Sequence, residues 1–326
     1  EPLAQHAARP RTGARIGALT GVAAAVLAAT VAVTSAVAGA PEPQPVEAAV
    51  VAPSALPEIK VEVVGEESSD AISTLSSSDA AGTLTVPLCA RPKIVKALKK
   101  HNDRAVIAAF GGAAKMRAAV AAGKAPCVRL DDPTRIWVVV DKANPYTPRR
   151  YEPDDLARVS GIRVLNAGIL RKDAGAALTA LVDGASAAGA GELAITSGYR
   201  SFADQRRQYR SQVSALGRTE ADKVSARPGY SEHQSGLAAD LVACDAACSS
   251  IEHLGDTPQG EWLADNAWRY GFIVRYEKGQ TKTTGYSPEP WHIRYIGKQL
   301  AKAYHKGGFH TLEEFWGLSP APSYGD

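Results

Sequence analysis

Two histidines, one aspartate and one glutamate stand out in this 326-residue chain, because their neighbours do not suit plain surface or core roles. His233 lies in Ser231-Glu232-His233-Gln234-Ser235-Gly236, where Gly236 permits a sharp turn into the apolar run 237–242. Asp240 sits inside that run. A carboxylate there must be paired or bound to a cation, because an isolated buried charge is too costly. His292 closes Glu289-Pro290-Trp291-His292. Three residues apart on a plain strand, Glu289 and His292 would face opposite ways. Pro290 interrupts the ladder, so both can be aimed at one point. A catalytic zinc site takes three protein ligands and leaves the fourth position to water, with a carboxylate nearby as general base. These four residues are the ingredients of such a site, although two histidines and a buried aspartate can also be purely structural. The other histidines of the seven (His6, His101, His253, His305 and His310) read as solvated.

The elements around them follow from periodicity. The β-branched run 136–140 reads as a strand, as do 193–197, Phe272–Tyr276 and 291–295. Leu170, Ala174, Ala177, Leu178, Leu181 and Val182 form a helical stripe. Ser201, with Asp204 three residues on, resembles a capping box opening a helix. Trp262, Asn266, Ala267 and Tyr270 stripe a further helix that Gly271 stops. The mixture predicts an α+β domain over 131–320, a small antiparallel sheet flanked by helices.

The preceding chain is of a different kind. All 5 Trp, all 11 Tyr and 4 of the 5 Phe lie beyond residue 136, so little large-side-chain core precedes it. Residues 16–40 carry no charge, follow Arg9, Arg11 and Arg15, and end in Ala38-Gly39-Ala40. That is the pattern of an export signal, cleaved or kept as a membrane anchor, so the protein is expected outside the cytoplasm or in the envelope. Residues 41–86 hold 8 acidic residues, one Lys and five Pro before residue 58, the composition of a disordered acidic linker. Residues 87–130 read as a helical hairpin, either a separate module or a piece packed on the catalytic domain. Four cysteines in an exported chain suggest disulfides; of three possible pairings we expect Cys89–Cys127 and Cys244–Cys248. Lys and Arg total 37 against 34 Asp and Glu, so nothing points to nucleic acid, and the chain is expected to work as a monomer.

Four strings sharpen this reading. SGYRSFADQ (197–205), PGYSEHQSGLAADL (228–241), WLADNAWRYGFIVRY (262–276) and TGYSPEPWHIRYIG (284–297) occur in that order. Together they resemble the VanY-like zinc D-alanyl-D-alanine carboxypeptidase family, which trims peptidoglycan stem peptides; Thr311-Leu312-Glu313-Glu314-Phe315 resembles its tail. The likeness covers roughly 131–316 and not the first 130 residues. It implies His233, Asp240 and His292 as zinc ligands, Glu289 as catalytic base and Arg200 near the scissile carbonyl. It also implies Ser231 and Gln205 in the substrate cleft.

The chemistry of each side chain suits its role. Glu289 can take a proton from water and pass it to the leaving amine. Arg200, always charged, can stabilise an oxyanion. The substrate carboxylate needs a donor, for which Ser231 is a candidate and Arg275 a weaker one, the alternative for Arg275 being a structural ion pair. Trp291 and Tyr199 are expected to wall the site. No Ser is followed by Lys three residues on, which removes a serine D,D-peptidase, and H-E-x-x-H is absent. An L,D-carboxypeptidase acting on tetrapeptide stems, an endopeptidase and a silent wall-binding homologue are the rivals.

Overall fold

The computed structural model describes residues 86–325. The export segment 1–40 and nearly all of the linker 41–86 lie outside the described residues. Among the described residues no helix is long and apolar enough to cross a membrane.

A four-stranded antiparallel sheet carries the site. Its strands are β3 (Glu192–Ser197), β4 (Ala238–Cys244), β5 (Phe272–Tyr276) and β6 (Glu289–Tyr295), in the order β3-β4-β6-β5. The short strands β1 (Leu156–Arg158) and β2 (Ile169–Arg171) pair separately. One sheet face packs on α4 (Lys172–Ala187) and α7 (Pro258–Tyr270) through Leu178, Leu181, Ile195, Leu241, Leu263 and Ile293. β4 is buried at every position because elements cover both its faces, which is why its sequence runs apolar without alternation.

The helix ends follow local chemistry, and those at Ser201 and Gly271 were expected from the sequence. Ser201 caps α5 (Phe202–Leu216), its Oγ accepting from the Asp204 N–H at 3.1 Å. Thr257 caps α7 in the same way, and Gly271 closes that helix in the left-handed region at φ 97°. Beyond α5 lies the short α6 (Arg218–Val224). Leu170, expected in the α4 stripe, belongs instead to β2.

Residues 87–130 contain the expected helical pair, packed on each other across a short turn, and add a third helix: α1 (Pro92–Lys99), α2 (Asp103–Ala109) and α3 (Ala113–Ala121). They are not a separate module. Ile94, Ile107, Phe110 and Met116 enter one core with Trp137, Leu300, Phe315 and Trp316. The last three come from α9 (Lys298–Lys306) and α10 (Leu312–Trp316). The aromatic mass that the helices lack in sequence is thus supplied by the C-terminal part of the fold. Asp103 adds a polar tie, accepting from Arg135 NH1 at 2.9 Å and from the Ile136 N–H at 3.0 Å. Cys89–Cys127 and Cys244–Cys248 are both bonded, and no free cysteine remains among the described residues.

The run 136–140 is not a strand. It is buried, irregular chain that turns at Ile136 and Trp137, and its Ile136 and Val138 carbonyls accept from the Arg294 guanidinium rather than from a neighbouring strand. β-Branched residues satisfied the packing, but no ladder partner lay alongside.

Because the two regions share a core, Ile107→Ala in α2 should destabilise the whole folded unit by about 2–5 kcal/mol. Denaturant unfolding followed by Trp fluorescence should show one transition shifted as a whole. A second transition with an unmoved main one would mean that the helices fold independently.

Candidate metal centre and active site

The chain reaches the site through a 3-10 turn, Glu232–Ser235, closed by Gly236 at φ 67°. A Cβ at Gly236 would lie 2.9 Å from Leu156 Cδ2 and 3.2 Å from the Arg171 backbone, so only glycine permits this reversal. The turn holds His233, and β4 follows with Asp240 directly opposite His292 in the β4–β6 register. Ser197 of β3 faces Asp240 from the other side, beyond a one-residue irregularity. One row across three strands therefore brings Ser197, Asp240 and His292 together. Glu289 joins them because the β5–β6 register shifts between Val274 and Tyr276. Its Oε2 lies 3.8 Å from His292 Nδ1. The reorientation expected around Pro290 is present, with a bulge accompanying it.

His233, Asp240 and His292 each offer one ligand atom, all within 4.8 Å of one another, and all three residues are buried. His233 Nε2 is 3.1 Å from Asp240 Oδ2, and His292 Nδ1 is 3.0 Å from Asp240 Oδ1. The far nitrogens have partners too. His233 Nδ1 lies 2.7 Å from the Gly198 carbonyl, and His292 Nε2 lies 3.2 Å from Glu232 Oε2. Gly198 is required there, since a Cβ would come within 2.4 Å of the Ile169 carbonyl. Two imidazoles and a carboxylate converging on one point, each imidazole backed by an acceptor, form a donor set that suits Zn²⁺.

The electrostatics follow from burial and from these neighbours. Burial raises the Asp240 pKa, but His233 and His292 outweigh it and hold the carboxyl well below its usual range. Burial, helped by Arg200, lowers the pKa of His233. Burial works the same way on His292, but its hydrogen bonds to Asp240 and Glu232 carry it up to about 10. Burial pushes Glu289 up to about 7, with Asp240 adding to the rise while His292 and Arg200 oppose it. A cation held by the three ligands would favour the ionised form of Glu289 and the neutral form of both imidazoles.

The cleft over this point has a volume of about 170 Å³. Arg200, Ser231, Glu289 and Trp291 line it, with Val224, Ala226 and Tyr286. Arg200 is anchored by NH1 to Gln205 Oε1 and by NH2 to Ser197 Oγ, both at 2.8 Å. A larger groove of about 780 Å³ runs along the open edge of β5 but contains none of the ligands, Glu289 or Arg200.

Three expected site residues sit elsewhere. Gln205 is fully buried behind Arg200, donating to the Ala226 carbonyl at 2.6 Å, so it orients the arginine and does not face the cleft. Tyr199 does not line the cleft; its N–H donates to the Ile169 carbonyl. Arg275 is not a donor to substrate. Its side chain is 0% exposed, forked onto Glu313 at 3.0 and 2.6 Å, with Nε on Glu232 Oε1 at 3.0 Å. The structural ion pair is the correct reading.

Glu232 escaped the sequence analysis altogether. Its Oε1 also accepts from Arg294 NH1 at 2.8 Å, and its side chain is 0% exposed. Burial opposes its ionisation, yet Arg294 and Arg275 keep it well below the usual carboxylate range. The available signal was a carboxylate next to His233 with two arginines inside apolar strand patterns.

Comparison with known proteins bears on this geometry. The family model described as VanY, D-alanyl-D-alanine carboxypeptidase, matches residues 168–298, which include every site residue above. A putative carboxypeptidase, YodJ of Bacillus subtilis (strain 168), is 39% identical over 191 residues, covering 57% of this chain and 69% of that protein. The chain belongs to the VanY family. A second relative, a D-alanyl-D-alanine carboxypeptidase of Enterococcus faecium, is 34% identical over 158 residues, 48% of this chain; this chain spans only 47% of that relative. Among solved structures, the LdcB LD-carboxypeptidase, described for its peptidoglycan recognition, is 38% identical with a TM-score of 0.53. That match covers 57% of this chain and 87% of the other. The VanY likeness thus falls on the sheet and its site.

Proposed function

We propose that this protein is an exported zinc carboxypeptidase that removes the C-terminal D-alanine from peptidoglycan stem peptides. The observation that carries the proposal is the buried His233–Asp240–His292 donor set with Glu289 and Arg200 at the same small cleft. Zinc in that set would acidify water and polarise a carbonyl. Glu289 takes the proton of the attacking water and delivers it to the leaving amine. Arg200, pinned by Gln205 and Ser197, directs its remaining N–H groups at the oxygen that becomes negative. Ser231, at the cleft wall, donates to the substrate carboxylate. The narrowness of the cleft favours a small terminal residue.

Export is supported by the basic, apolar, small-residue order of the first 40 residues and by two disulfides, which persist in oxidising compartments. D,D-specificity comes first because the family model and the Enterococcus relative carry that activity in their names. The likeness to the LdcB LD-carboxypeptidase favours a second reading, L,D-cleavage of tetrapeptide stems.

Mass spectrometry of pentapeptide and tetrapeptide stems after incubation with the enzyme tests both. Loss of one alanine from the pentapeptide, abolished by a zinc chelator and restored by zinc, is expected. Cleavage of the tetrapeptide alone would turn the assignment to L,D-specificity. Cleavage of neither by zinc-loaded enzyme would reject a carboxypeptidase.

A further inference from the structure

Glu232 divides its two oxygens between two tasks. Oε1 faces cations only, Arg275 Nε at 3.0 Å and Arg294 NH1 at 2.8 Å. Oε2 lies 3.2 Å from His292 Nε2. Neither arginine depends on Oε2. Arg275 is forked onto Glu313, and Arg294 also reaches the carbonyls of Ile136, Val138 and Tyr295. An ionised carboxylate only accepts hydrogen bonds, so Oε2 requires its neighbour to be an N–H. A neutral imidazole with its proton on Nε2 has its lone pair on Nδ1, the nitrogen that faces Asp240 and Glu289.

We propose that Glu232 is a positioning residue that sets the tautomer and ring orientation of His292, so that Nδ1 is presented to the metal. The inference rests on the zinc reading above. The Gly198 carbonyl does the same for His233 with the opposite outcome, holding the proton on Nδ1 and presenting Nε2. The two histidines therefore ligate through different nitrogens, and a buried carboxylate is what makes His292 the Nδ1 ligand. The arginines hold Glu232 in turn, and Glu313 of α10 anchors Arg275, so the C-terminal helix bears on the site without touching the cleft.

Glu232→Gln is the informative substitution. The arginines are donors only, so the amide oxygen must face them, which turns its NH₂ toward His292 Nε2. His292 would then accept at Nε2 and carry its proton on Nδ1, the wrong side for the metal. Zinc affinity, measured by competition with a chromogenic chelator, should fall about 10–100-fold. Glu313→Gln removes one charge from the same network but leaves the His292 contact intact. It should lower the melting temperature of the metal-free protein while keeping zinc affinity near the wild-type value. Unchanged affinity in Glu232→Gln, or an equal loss in Glu313→Gln, would overturn the assignment.

If Glu232→Gln does not fold, the ring nitrogens of zinc-loaded, ¹⁵N-histidine-labelled wild type decide. His292 should show a metal-bound Nδ1 and a protonated Nε2, and His233 the reverse. Ligation of His292 through Nε2 would refute the role of Glu232. A wild-type protein that binds no zinc would instead sink the metal reading, and this inference with it.

Discussion

Glu289→Gln should lose about 10²–10⁴-fold in kcat while binding zinc as the wild type does. The amide is nearly isosteric and fits the same space at the cleft wall, but it cannot take a proton. Glu289 stands 3.8 Å from His292 Nδ1, close enough to serve the same reacting centre. His233, Asp240 and His292 complete a three-ligand set without it. The measurements are D-alanine release and zinc content on one preparation. Retained activity would show that another group is the base. Lost zinc would make Glu289 a ligand.

Arg200→Lys should reduce kcat and kcat/KM together by about 10²–10³-fold, the usual cost of one oxyanion donor. Charge alone is not what this position supplies. Two N–H groups of the guanidinium are committed, to Gln205 Oε1 and Ser197 Oγ, and that fork fixes where the others point. Lysine is a flexible point charge and cannot hold both anchors while reaching the cleft. The Arg200 side chain is 17% exposed and also lies 3.8 Å from Asp240 Oδ2, so the variant's zinc content must be matched to wild type before rates are compared. A rise in KM with unchanged kcat would mean that Arg200 binds the substrate carboxylate in the ground state.

Glu289 and the three candidate ligands were accessible from the sequence, and the reason is local, whereas Arg200 came from the family resemblance. His233 and Asp240 are seven residues apart, and a carboxylate inside an apolar run announces its own need for a partner. Glu289 and His292 share one short segment. The Ser201 cap, the stop at Gly271 and the strands 193–197 and Phe272–Tyr276 were legible for the same reason, since each depends on neighbours a few residues away.

Several of the misreadings involve distant partners. Arg275 looked available to substrate because nothing near it in sequence neutralises it; its partners are Glu232, 43 residues before, and Glu313, 38 after. The run 136–140 had strand chemistry, but its carbonyls are taken by Arg294, more than 150 residues on. For residues 87–130 the sequence left a separate module and packing on the catalytic domain both open; Phe315 and Trp316, far along the chain, pack against them. The sequence by itself determined the candidate ligands and candidate base, the family resemblance and several elements of the sheet and its helices, because side-chain chemistry and short-range geometry are properties of adjacent residues. Only the tertiary structure decided which ring nitrogen of each histidine faces Asp240, which arginine faces the cleft and that the helical region is part of the same core. Those outcomes depend on burial and on pairs formed when the sheet register and helix packing bring remote segments together.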